Sequence, residues 1–210
     1  MPREMHDKAL QTLMKHMVST KERGLLLAPM ALWNEDVDFE FTIRGRSDSD
    51  YAGNTDDRKS ITGAVVYLND APVAFRSSTQ RTVTLSVTEA EGAARVTCAQ
   101  DMLYVYHLIE SLGQKVELPM VLEMDNKGAV QLANNWSVGG RTRHVDVRNH
   151  FLRELKDNGI IVVRHVPGDD NDADLFTKNV TRAVFDKLVP RLVGKDKYNR
   201  DMKVSWASDA

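Results

Sequence analysis

The sequence predicts an α/β fold: a five-stranded mixed sheet flanked by helices. Three observations predict it. Three strand-like runs follow one another, at 39–48, at 61–68 and from 73 onward. One long apolar stripe of helical period runs from 86 to 113, and two further strand-length apolar runs, 120–124 and 159–166, alternate with helical stretches. Strands that come first as a meander and then alternate with helices build a mixed sheet covered by helices.

Each element has a local cause. Residues 5–18 place Leu10, Leu13, Met14 and Met17 at helical spacing, an amphipathic helix expected to pack on the neighbouring domain, and Gly24 and Pro29 then punctuate the chain. Phe39, Phe41 and Ile43 alternate with polar neighbours, a half-buried strand running into Ser47 and Asp48. Ile61 to Leu68 is rich in strand formers, Asn69-Asp70-Ala71-Pro72 is read as a turn, and Val73 to Phe75 begins an antiparallel third strand. Ser86 and Glu89 have capping-box spacing, and Gly113 stands where a left-handed C-terminal cap is expected. Between them Ala90, Ala94, Cys98, Met102, Val105, Ile109 and Leu112 form one stripe, which makes Cys98 a buried, inert thiol. Met120 to Met124 is a strand ending at Asp125-Asn126, and 128–134 reads as a short helix. A basic stretch, GGRTRHVDVRNHFLRELK, leads into a further helix, and Gly159 to Val166 is the fifth strand. A last helix is expected from Asp172 through Phe185 and Leu188, followed by a charged tail.

The bulk numbers narrow the class. The chain has 210 residues, 42% of them hydrophobic, enough for one core, with a formal net charge of -2 that leaves nucleic-acid binding to the local placement of Lys and Arg. The single cysteine excludes an internal disulfide and a cysteine zinc site and suits a reducing compartment. No stretch approaches membrane-spanning length and the start has no secretory apolar run, so the expectation is a protein away from membranes.

Four carboxylates fall near element ends: Asp48 after the first strand, Glu91 in the first turns of the long helix, Asp125 at the end of the fourth strand, and Asp174 at the opening of the last helix. Acids gathered in one place repel and lose hydration, so a fold tolerates them mainly where cations bind. Among 30 acidic residues, however, such placement also arises without a site, and exposed aspartates often cap helices.

The local sequences go further. The stretches SDSDYAGNTDDRKSITGAVVYL, VTLSVTEAEGAA, EMDNKGAVQLA, RTRHVDVRNHFLRE and HVPGDDNDADLFTK occur in this order between residues 47 and 178. Together they resemble the ribonuclease H region at the end of the Pol polyprotein of copia-type (Ty1/copia) retrotransposons. The segment PREMHDKALQTLMKHMVSTKERGLLL is similar to the helix that joins the reverse transcriptase to its ribonuclease H in such polyproteins, and no polymerase YxDD motif occurs. The expected organisation is therefore a helical connection segment over 1–36, a ribonuclease H-like domain over 37–190 and a polar tail over 191–210.

The resemblance implies a ribonuclease H-like fold and an acid tetrad on Asp48, Glu91, Asp125 and Asp174, acting as catalytic residues and as ligands to two Mg²⁺ ions, with Mn²⁺ able to substitute. Glu89 is assigned to the helix cap. Asp50 competes with Asp48 by position, and Asp169, Asp170 and Asp172 are read as solvated loop acids. The implied activity is hydrolysis of the RNA strand of RNA–DNA hybrids during reverse transcription, in the cytoplasm or in virus-like particles, with the polyprotein's reverse transcriptase as partner. The alternative is a catalytically inactive, transposon-derived nucleic-acid-binding module. The sequence departs from the family pattern at Arg46 and Gly92, where aromatic residues are usual, and HVPGDDNDAD is too short for a catalytic histidine loop, so His165 is read as a buried or strand-edge residue. For the substrate, Asn126 is a candidate groove contact, and Arg141, Arg143, Arg148 and Arg153 are either a phosphate track or the solvated face of a helix.

Overall fold

The computed structural model describes residues 4–21, 24–25, 39–54, 56–127, 130 and 143–193, with 143–149 described by backbone alone. The helices are α1 (Glu4–Ser19), α2 (Val87–Ser111), α3 (Arg143–Asp157) and α4 (Arg182–Val193). The strands are β1 (Glu40–Phe41), β2 (Ile43–Asp50), β3 (Ile61–Leu68), β4 (Ala71–Thr79), β5 (Lys115–Val116), β6 (Met120–Met124) and β7 (Ile161–His165). Five strands form one sheet in the order β4-β3-β2-β6-β7, and β1 and β5 form a small parallel ladder apart from it. β2, β3 and β4 are antiparallel neighbours, while β2, β6 and β7 run parallel, so the sheet is mixed as expected.

One face of the sheet carries the main core. Ile43, Ala64, Val66, Met120, Leu122 and Val163 from the strands meet Cys98, Met102, Val105 and Ile109 of α2 and Leu152 and Leu155 of α3. Gly45 permits the close approach of α2, because a Cβ there would lie 2.5 Å from Met102 Sδ and 2.8 Å from Cys98 Sγ. Cys98 is wholly buried, and burial raises its thiol pKa far above the ordinary value, so the thiol is inert. On the other face, Val65 and Tyr67 pack with Leu175, Phe176 and Leu192 beneath the turns that precede α4 and α4 itself.

Helix α2 begins and ends where its capping residues stand. Ser86 accepts from the Glu89 amide at 3.2 Å, and Glu89 turns back to the Leu85 amide at 2.8 Å. Gly113 takes the left-handed cap at φ 75. Leu112 leaves the buried stripe: it is the cap residue and is 65% exposed, since the helix axis stops before it can turn inward.

Four further expectations need correction. The strand beginning at Phe39 is broken at Thr42, whose amide and carbonyl are taken by Asn69 (2.7 and 2.9 Å) instead of a ladder partner. The turn after β3 is only Asn69-Asp70, at φ 48 and 63, with Ala71 and Pro72 already paired in β4. The last helix does not start at Asp172. Residues Gly168–Asp170 and Asp172–Phe176 form two 3₁₀ turns, and α4 starts at Arg182, with Thr181 Oγ1 accepting from the Val184 amide at 3.5 Å. Finally α1, although helical as expected, buries none of its residues; Leu10, Leu13, Met14 and Met17 are each more than half exposed. Its contact with the rest includes an edge-on packing of His16 against Phe185, ring centroids 6.0 Å apart. Of the expected helix over 128–134, Val130 alone is described, its amide bonded to the Asn126 carbonyl at 2.9 Å; the others lie outside the described residues.

Candidate metal centre

The parallel pairing of β2 with β6 sets up the site. Arg46 is the register partner of Glu123, and one strand period beyond each lie Asp48 and Asp125. Both acids therefore reach the same end of neighbouring central strands. Asp174 comes from the 3₁₀ turn that crosses the adjoining strand, β3, and Gly63 makes room for it. Gly63 is the partner of Asp48 in the β2/β3 ladder, and a Cβ on it would lie 2.6 Å from both the Ala173 carbonyl oxygen and Thr177 Cγ2.

Asp48, Asp125 and Asp174 each place a carboxylate oxygen within 4.8 Å of the others, Asp48 and Asp174 being buried. Glu91 stands beside the trio and not within it. Its Oε1 accepts from Ser49 Oγ at 2.9 Å, and the residue is 4% exposed. Burial, and then the charges of Asp48 and Asp125, push its pKa up to about 7 against the opposing Ser49 hydrogen bonds. Burial and the charge of Asp48 likewise raise Asp125. Asp174 is raised to about 6, burial and Asp48 outweighing its hydrogen bond to Lys178. These are the signatures of carboxylates gathered without enough counter-charge.

Lys178 supplies part of that charge. Its Nζ is 2.9 Å from Asp174 Oδ2 and 3.6 Å from Asp48 Oδ2. Burial alone would lower its pKa, but the bond to Asp174 and the attraction of Asp48 and Asp125 prevail and raise it. Thr177 Oγ1 donates to Asp48 Oδ2. Among the carboxylates of the described site, Glu91 Oε2 and Asp174 Oδ1 are buried with no hydrogen-bond partner. An unsatisfied buried acceptor costs roughly 1–3 kcal/mol, more when charged, so the site as it stands lacks positive charge. The donors are hard carboxylate oxygens, the set that fits Mg²⁺ or Mn²⁺ and not a thiolate- or imidazole-preferring metal.

Sequence reasoning picked out Asp48, Asp125 and Asp174, and the fold brings them together; Asp50 is not part of the trio. Asn126 is half-buried beside Asp125. Arg143 and Arg148 lie in α3 without described side chains, and Arg141 lies outside the described residues. His165 is the exposed last residue of the edge strand β7. Asp172 requires correction: it is no solvated loop acid but 1% exposed, bonded to Arg46, Tyr67 and Arg191 from three other elements. Reasoning from sequence also missed Ser49, Thr177 and Lys178. The last two lie in the same ADLFTK motif as Asp174, which was the available signal.

A five-stranded mixed sheet of this order, flanked by helices, is the ribonuclease H-like fold. Among solved structures the chain is similar to LC11-RNase H1, isolated from compost by a metagenomic approach, with a TM-score of 0.50, 16% identity, and coverage of 70% of this chain and 98% of that one. No protein-family model matches the chain. Among curated proteins it is 30% identical over 192 residues to the retrovirus-related Pol polyprotein from transposon RE1 of Arabidopsis thaliana, covering 91% of this chain. It is 34% identical over 152 residues to the corresponding polyprotein from transposon TNT 1-94 of Nicotiana tabacum, covering 72% of this chain. The chain spans 13% and 11% of the length of these two relatives. The chain belongs to the copia-type retrotransposon Pol family, and its fold is ribonuclease H-like.

Proposed function

We propose that the chain is a metal-dependent endoribonuclease that hydrolyses the RNA strand of RNA–DNA hybrids, working beside the reverse transcriptase of a retrotransposon polyprotein. The observation that carries this reading is the convergence of Asp48, Asp125 and Asp174, with Glu91 alongside, at one end of the central parallel strands. The membership in the Pol family supports the substrate class. Among the described residues no helix is long and apolar enough to cross a membrane.

In this reading Asp48, Asp125, Asp174 and Glu91 hold two Mg²⁺ ions. When bound, the ions supply charge stabilisation at the phosphodiester and activation of the attacking water. The protein's own groups do the rest. Ser49 orients Glu91, Thr177 orients Asp48, and Lys178 keeps a positive charge beside the phosphate path. The hybrid is gripped by its backbone and 2′-hydroxyls, with Asn126, Arg143, Arg148 and Arg141 as proposed contacts.

The test is a labelled RNA–DNA hybrid incubated with Mg²⁺ or Mn²⁺, comparing wild type with Asp125→Asn. The expected result is a loss of at least about a hundredfold in the variant, with a melting curve in the presence of EDTA no lower than that of wild type, because the substitution removes a carboxylate that burial and Asp48 disfavour. Equal cleavage by both proteins would remove Asp125 from the site. Hybrid binding without cleavage by wild type would favour the non-cutting binding module.

A further inference from the structure

Each of the three clustered aspartates has a charged residue two positions upstream. Arg46 precedes Asp48, Glu123 precedes Asp125, and Asp172 precedes Asp174. Residues two apart on a strand share a face, and Arg46 and Glu123 are direct partners across the β2/β6 pair. The upstream trio is joined by one guanidinium. Arg46 Nε donates to Glu123 Oε2 at 2.8 Å, and its Nη1 donates to Asp172 Oδ2 at 2.5 Å and to the Asp170 carbonyl at 2.7 Å.

Asp172 is held from further sides. Tyr67 Oη of β3 donates to its Oδ2 at 2.6 Å, and Arg191 Nη1 of α4 donates to its Oδ1 at 3.1 Å. Next to it Asn171, wholly buried, donates from Nδ2 to the Ser47 carbonyl at 3.0 Å. Asp174 sits on a 3₁₀ turn with no α-helical ladder behind it, so these ties fix where its carboxylate stands. Arg44, Arg46 and Arg191 pair with Glu123 and Asp172, and Arg191 also with Asp170, so the acids of this layer are matched by guanidinium charge and do not add to the repulsion among the aspartates.

We propose that Arg46 is a positioning residue for the divalent-cation site: its guanidinium binds β2, β6 and the 3₁₀ turn together one layer below the aspartates and thereby sets the spacing of Asp48, Asp125 and Asp174. A lysine cannot replace it, because one ammonium lacks the rigid fork that serves Glu123 and Asp172 at once. The inference rests on the metal-centre reading above.

The test uses the full chain. Mn²⁺ binding is measured by calorimetry without nucleic acid, beside thermal melting and the Mg²⁺ dependence of hybrid cleavage, for wild type, Arg46→Lys and Tyr67→Phe. Support for the ties reaching the metal site is an Mn²⁺ affinity weakened about tenfold in Arg46→Lys and two- to threefold in Tyr67→Phe, as expected when groups that orient ligands are lost. The Mg²⁺ concentration for half-maximal cleavage rises in parallel, while the rate at saturating Mg²⁺ largely recovers. Wild-type Mn²⁺ affinity in both variants, whatever their melting temperatures, would overturn the proposal and leave Arg46 merely structural. If Arg46→Lys fails to fold, Tyr67→Phe decides in the same way. Weakened Mn²⁺ binding in the variants of a protein that cleaves no hybrid would uphold the positioning role and sink the nuclease reading. A wild type that binds no Mn²⁺ would end both.

Discussion

Glu91 is the residue whose state depends most on what occupies the site. A carboxyl whose folded-state pKa, here about 7, lies above its ordinary 4.5 contributes stability that is fully present below the lower value. That contribution is lost as pH rises through the higher one. Asp174, raised to about 6, and Asp125, raised by burial and Asp48, act in the same direction. The metal-free protein should therefore melt higher at pH 5 than at pH 8, by several degrees, and millimolar Mg²⁺ should narrow the gap by stabilising the charged forms at pH 8. Glu91→Gln should flatten the dependence. Melting curves in EDTA at the two pH values check it, and a protein more stable at pH 8 without metal would contradict it. At this scale the acids were legible because each lies in a recognisable short stretch. Asp172 was not. In sequence it looks like Asp169, and its burial is created by Arg46, Tyr67 and Arg191, partners distant along the chain that no local pattern exposes.

At the scale of elements, two close approaches hold the site in register. Gly63 lets the turn bearing Asp174 lie on β3, while Gly45 lets α2 lie on β2. Gly63→Ala should push against a backbone carbonyl, costing about 1–3 kcal/mol and lowering cleavage more than tenfold as Asp174 shifts. Gly45→Ala meets Met102 Sδ and Cys98 Sγ, side-chain atoms of the core away from the acids, so it should cost stability while cleavage by the folded protein is nearly retained. Denaturant unfolding with hybrid cleavage compares them, and a harmless Gly63→Ala would remove the close approach from the account. Element boundaries were legible where the signal is local. Ser86, Glu89 and Gly113 bound α2 because capping involves only neighbours in sequence. The start of the last helix was misread because Asn171 accepts from the Ala173 amide and Asp172 is held by other elements, which replaces an α-helical turn with a 3₁₀ one. Gly92 departs from the family pattern without crowding: a Cβ there would meet Arg95 Nη2 at 3.7 Å, an ordinary contact.

At the scale of the whole molecule, the alternation of strand and helix patterns was enough to name a mixed sheet. It did not by itself place β6 beside β2. Parallel pairing across a long crossover leaves little mark on local periodicity, so that neighbour relation is visible only in the folded chain. The proposed boundary near residue 36 makes a direct prediction. Because α1 buries none of its residues, a protein lacking residues 1–21 should melt within about 2 °C of the full chain. A larger loss would mean that α1 supports the domain through more than its His16–Phe185 contact.

Three clustered aspartates with Glu91 beside them are proposed to make a cation-dependent site for cutting RNA paired with DNA. The most direct measurement follows both strands of an end-labelled hybrid, with RNA and DNA duplexes of the same sequence alongside, in Mg²⁺ and in EDTA. The expected result is internal cuts in the RNA strand of the hybrid, only with the cation present, and an intact DNA strand. Cutting that persists in EDTA, or that falls equally on every duplex, would contradict it.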